Sequence, residues 1–316
     1  QMAFDRILEL YHEIEDEDED ENADDDFRTN ELETLLGMMK KGLNTSDRHL
    51  KHQVVKKLGM NGVVDVLDDV LRRAKLETSG EQSEYYEALV AICDRTRNTD
   101  GSLSKNVKDV APALVQRWFY DPTGTVDIGA IALALHSIND RSIVDELIKY
   151  LKSDGYDSSV YNLVLQLCGY DETANDNWDS YSKEEKNHYK SLKQDDSTLL
   201  DLAEHFLENT DFYRVGQLLH SLKCSIDSKS TIYDFFFEIF RLPNTTECNE
   251  LRHDAISCIN WRLENRQSID GTTTKKSVEA QLLKLLEHRD KVSAYLAAQS
   301  LSTMGNGLIV MTRISG

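Results

Sequence analysis

His49 and His52 stand one helical turn apart after a Thr45-Ser46-Asp47 cap. Imidazoles at that spacing can share one transition-metal ion. Asp47 and Asp68 are carboxylates close enough in sequence to join such a set. Two histidines on a polar helix face are more commonly solvated than ligating, so no metal site is predicted. Cys248, His253 and Cys258 form the other group of soft ligands. Steps of five residues rotate successive side chains by about 140 degrees on a helix, so the three cannot converge on one ion. The densest chemistry is anionic. Residues 15–26, EDEDEDENADDD, place ten carboxylates in twelve positions and supply half of the formal net charge of −20. A run that repels itself and has nothing to bury is expected to be a solvated loop. It could mimic a phosphate track, hold calcium loosely or engage a basic partner, although EF-hand spacing is missing. Asp16, Asp18, Asp20, Asp24, Asp25 and Asp26 are therefore the expected partner-binding carboxylates. No Gly-rich phosphate loop, nucleophile elbow, HExxH or CxxC motif occurs, and no catalytic residue or cofactor is predicted.

The elements that must position these residues are helical. Only three prolines (Pro112, Pro122, Pro243) and fifteen glycines interrupt 316 residues, and strand-like alternation is missing. The clearest stretch is 128–170. Ile128, Ile131, Ala132, Leu135 and Ile138 recur at three- and four-residue spacing, and Ile143, Val144, Leu147, Ile148 and Leu151 repeat the pattern after a break. Asn139-Asp140 marks a turn in which Asp140 accepts from the free amides of the helix beginning near Ser142. The two helices are expected to pack as a hairpin.

Similar periodicity predicts helices over 3–14, 30–41, 47–58, 63–76, 81–96 and 107–120, with 81–96 paired to 107–120. Further helices are expected over 197–208, 212–223, 229–241, 247–265, 274–288 and 291–304. The first caps one end, 171–194 is a polar insertion, and the tail 305–316 fits no repeat. Trp178 and Tyr181 are the insertion's candidate partner contacts. Trp118, Phe119 and Tyr120 are consecutive on one helix and must point in different directions. Burial between neighbouring helices is the expectation for them and for Phe235, Phe236, Phe237 and Phe240.

The order of small-apolar helix, Asn-Asp turn, Asp-Glu-Leu-Ile-Lys helix and Lys-Ser-Asp-Gly turn resembles the HEAT-like repeat of the phycocyanobilin-lyase type. Ala132, Ala134, Leu135, Asp140, Val144, Leu147, Ile148, Leu151 and Asp154 carry the resemblance. A second match runs through Val278, Leu282, Leu283, Leu286, Asp290, Val292, Ala297, Ala298, Leu301 and Gly305. Arg141 departs from the pattern, standing where the family often has a small residue or proline. The resemblance implies an all-α fold, a single α-solenoid of stacked antiparallel hairpins over 1–316. It says little of activity, since fold and function are separable.

Three functions suit such an array. A non-enzymatic binding solenoid would capture a basic protein on its acidic surface, as an immunity, inhibitor or adaptor protein. A HEAT-like enzyme, a chromophore lyase or DNA glycosylase, is the second. A glycosylase should show a basic groove, and 36 Lys and Arg against 56 Asp and Glu offer no obvious one. A structural subunit is the third. The five scattered cysteines read as reduced core thiols. With no run of roughly 20 apolar residues, the expectation is a cytoplasmic protein that uses neither membrane nor nucleic acid.

Overall fold

The computed structural model describes residues 2–16, 25–77, 79–120, 126–153, 157–170, 195–223, 230–265, 267–287 and 290–305. Among the described residues there are fifteen α-helices, two short 3-10 turns and no strand, with 80 % of them helical. Many of the helices begin on an aspartate. Asp47 accepts from the Leu50 amide, Asp127 from Ala130, Asp157 from Ser159, Asp211 from Arg214, and Asp290 from both Val292 and Ser293. Each carboxylate satisfies amides that the first helical turn leaves without partners. The chain divides into two compact units, Gln1–Tyr150 and Leu151–Gly316.

The first unit contains α1 (Met2–Asp16), α2 (Asp25–Leu43), α3 (Arg48–Asn61), α4 (Leu67–Ala74), α5 (Ser79–Arg95), α6 (Val110–Tyr120), α7 (Ile128–Ile138) and most of α8 (Val144–Lys152). Successive helices pair as α2 with α3, α4 with α5 and α6 with α7. The second members, α3, α5 and α7, lie side by side as a row, and α2 packs on α4. The core between these layers holds Met39, Leu43, Leu58, Val70, Leu89 and Leu135, all fully buried. α1 docks on α2, with the Tyr11 hydroxyl donating to Asp65 at 2.7 Å and Lys57 pairing with Asp5.

Two expectations about this unit change. The helices around the Asn139-Asp140 turn are not each other's closest partners, because α7 packs on α5 and α6, while the Arg141–Ile143 turn ahead of α8 packs on α6. The turn itself forms as anticipated: Asn139 takes the left-handed conformation at φ 50°, and Asp140 accepts from the Ser142 amide at 2.9 Å. A turn reverses the chain without selecting the face against which the next helix packs, so the pairing is shifted by one helix, and α5 likewise pairs with α4 rather than α6. Helix also reaches into both ends of the anticipated acidic loop. Asp16 closes α1, while Asp25 and Asp26 open α2. Residues 17–24 lie outside the described residues.

The second unit contains α9 (Ser158–Leu167), α10 (Asp196–Glu208), α11 (Phe212–Leu222), α12 (Ser230–Ile239), α13 (Thr246–Asn265), α14 (Gln267–Leu286) and α15 (Lys291–Thr303). The arrangement repeats: α10 pairs with α11, α12 with α13 and α14 with α15, and α11, α13 and α15 form a row. Phe235, Phe236, Phe237 and Phe240 are all buried here. α14 begins well ahead of the expected residue 274. At the edges of the insertion the chain is pinned, with the Asp195 amide donating to the Cys168 carbonyl at 2.9 Å and the Tyr170 hydroxyl donating to the buried Asp196 carboxylate. The insertion 171–194, with Trp178 and Tyr181, and residues 306–316 of the tail lie outside the described residues.

Candidate interaction surface

The row α3–α5–α7 presents two grooves. α3 and α5 approach closely because a Cβ added at Gly59 would sit 2.7 Å from the Ala88 backbone. Only glycine allows that contact, and Ala88 also lines the first groove, of about 520 Å³. His49, His52 and Lys56 of α3 form one wall, and Glu84 and Glu87 of α5 form the other. The second groove, about 200 Å³, lies between α5 and α7 and is lined by Tyr86, Glu87, Val90, Ala130, Leu133 and Ala134, among others. Glu87 stands on the ridge between them. Leu133, in the middle of α7, is 71 % exposed.

The two histidines do share a face, as their spacing predicts, yet each has a protein partner. His52 Nδ1 is 2.8 Å from Glu84 Oε2, and His49 Nε2 is 2.8 Å from the Gln53 amide nitrogen. Asp47 caps α3 through the Leu50 amide. Among the described residues no three His, Cys, Asp or Glu side chains are placed to hold a metal ion. Cys248 and Cys258 are buried while His253 is exposed, so that set diverges as the rotation argument requires. Cys93, Cys168, Cys248 and Cys258 are buried thiols outside any disulfide. Burial pushes the Cys93 thiol up to about 12, which keeps it protonated and unreactive near neutrality. The three consecutive aromatics diverge too. Trp118 is buried, Phe119 stacks on Tyr150 with centroids 3.9 Å apart, and exposed Tyr120 donates its hydroxyl to Glu146 at 2.8 Å.

Of the expected partner-binding residues, Asp18, Asp20, Asp24, Trp178 and Tyr181 lie outside the described residues. Asp16, Asp25 and Asp26 are described only as helix-end positions.

Sequence reasoning missed a set of arginines that seal helix C-termini. Arg73 Nε donates to the Leu43 carbonyl at the end of α2, and buried Arg117 donates to the Ala74 carbonyl at the end of α4. Arg97 reaches Ser137 and Ile138 at the end of α7. In the second unit Arg262 donates to Leu222 and Lys223 at the end of α11, while Arg252 holds the connection ahead of α13 through the Leu242 and Pro243 carbonyls. Terminal carbonyls lack intrahelical partners and carry the negative end of the macrodipole, so a guanidinium satisfies both needs. The signal was in the sequence: Arg262 follows Ala255 and Ile259 at helical spacing, a position that belongs to a buried stripe.

Among the described residues no helix is long and apolar enough to cross a membrane. No protein-family model and no curated protein sequence matches this chain.

Proposed function

We propose that the chain is a HEAT-like α-solenoid without enzymatic activity, whose acidic surface captures a basic protein in the manner of an immunity, inhibitor or adaptor protein. The paired helices recurring in rows within each unit support the solenoid. The direction in which the charges face carries the functional reading. Among the described residues the buried charged side chains are Arg117, Arg252, Arg262 and Asp196, so cations turned inward outnumber carboxylates. Arg117 and Arg262 serve helix ends and Arg252 the connection ahead of α13, while Glu87 and Asp94 remain exposed on α5. The described surface is therefore slightly more acidic than the composition suggests, and a field of that sign raises the encounter rate of a cationic partner by about 10- to 1,000-fold. The same carboxylates repel a phosphate backbone, which places the glycosylase alternative behind this one. Affinity capture from the source cell, with and without residues 15–26, tests the reading. Enrichment of basic proteins that weakens on deletion is expected; a captured set no more basic than the lysate would overturn it.

A further inference from the structure

We infer that the trough between α5 and α7 is a docking groove for a cationic amphipathic helix. The inference rests on the basic-partner reading and adds where the partner sits and in what form. Two features of the trough carry it. Its α7 wall is small and apolar: Ala130, Leu133 and Ala134 fall at three- and four-residue spacing, and Tyr86 and Val90 face them from α5. Small side chains leave a channel that the ridge of another helix can enter, and the exposed Leu133 offers that ridge an apolar contact.

The second feature is the sign of the opposite rim. Glu87 lines the trough from α5 and Asp94 stands further along the same exposed ridge, while Glu84 lines the other groove. Glu87 and Asp94 are two turns apart, about 10 Å along the axis. Glu84 meets His52, and Asp94 accepts from Arg97 at 3.0 Å. Glu87 pairs with no cation among the described residues. An apolar wall beside an acidic rim matches a helix that carries leucine-like side chains along one edge and Lys or Arg along the next. A neutral apolar helix would leave Glu87 facing an uncharged surface at close range. An acidic helix would meet like charge.

Fluorescence anisotropy with a labelled 14-residue leucine–lysine amphipathic peptide tests the site on the full chain. The controls are the same peptide with Glu for Lys, and the variants Leu133→Asp and Glu87→Lys. Both substituted positions are exposed, and thermal melts by circular dichroism confirm that the variants fold. The leucine–lysine peptide is expected to bind the native chain, and each substitution should weaken it about ten-fold or more. Neutralising the six aspartates of the acidic run should weaken it less. If the peptide binds natively but both variants bind equally well, the groove is overturned while basic capture stands. If the leucine–glutamate peptide binds as tightly, the cationic assignment fails. If the peptide does not bind at all and sedimentation shows a dimer that Leu133→Asp dissolves, the occupant is a second copy and the inference is wrong.

Discussion

Leu135 and Leu147 illustrate what a single apolar side chain does here. Both are fully buried, one in α7 and one in α8, and truncation removes contacts that the surrounding helices cannot restore. Leu135→Ala and Leu147→Ala should each cost about 2 to 5 kcal/mol, measured by urea denaturation; losses under about half a kcal/mol would show that the sites collapse freely. Asp290 makes a different kind of contribution. Burial alone would push its pKa up, but hydrogen bonds from Ser293 and the Val292 amide, with the charge of Arg252 at 3.5 Å, outweigh burial and hold it below the usual carboxylate value. A group whose folded pKa is depressed gives stability that is present above its unfolded pKa, about 3.9, and lost as pH falls through the folded value. The stability gap between the native chain and Asp290→Asn should therefore be full at pH 7 and shrink below about pH 4. A gap constant down to pH 3 would mean the carboxylate's charge is irrelevant to the cap.

At the scale of elements, local chemistry was legible and pairing was not. The Asn139-Asp140 reversal, the aspartate caps and most helix bounds follow from residues within one turn of each other. Which helix packs on which is settled by side chains far apart in sequence, such as Gly59 against Ala88, and no local pattern announces that contact. Of the two grooves only the histidine wall of the first was legible, and the trough between α5 and α7 was not. Leu133 belongs by spacing to no buried stripe, yet its exposure becomes informative only once Ala130 and Ala134 are seen beside it. Arg73, Arg117 and Arg262 stand in the last turns of their own helices, but the carbonyls they close lie 30, 43 and 40 residues away, so the fold alone shows which end each one seals. One element prediction rests on the pinned insertion. Since Cys168, Tyr170, Asp195 and Asp196 already hold its two ends together, replacing residues 172–193 with a short Gly-Ser linker should leave the melting temperature within about 4 °C of native. A drop beyond about 10 °C in calorimetry would show that the excised residues are part of the fold.

For the whole molecule the governing quantity is charge. If long-range attraction delivers a basic partner, association should slow as salt rises, since the screening length falls from about 10 Å at 0.1 M to about 3 Å at 1 M. Dissociation should change much less. Changing Asp16, Asp18, Asp20, Asp24, Asp25 and Asp26 to asparagine should reproduce the high-salt association rate in stopped-flow mixing with a lysine-rich peptide, while the melting temperature stays nearly constant. A native association rate in that variant would shift the attraction to carboxylates on the helices.

The arginine seals also impose an order in time. Arg117 closes the carbonyl of Ala74 from 43 residues further along the chain, and Arg262 closes that of Leu222 from 40. A chain emerging from the ribosome thus completes α4 well before the residue that finishes its end has been made. At roughly 5 to 20 residues per second, that interval is about 2 to 9 seconds. Through it α4 and α11 keep an open, electronegative end until a later helix closes it, whereas Arg97 is already made when α7 reaches Ser137 and Ile138.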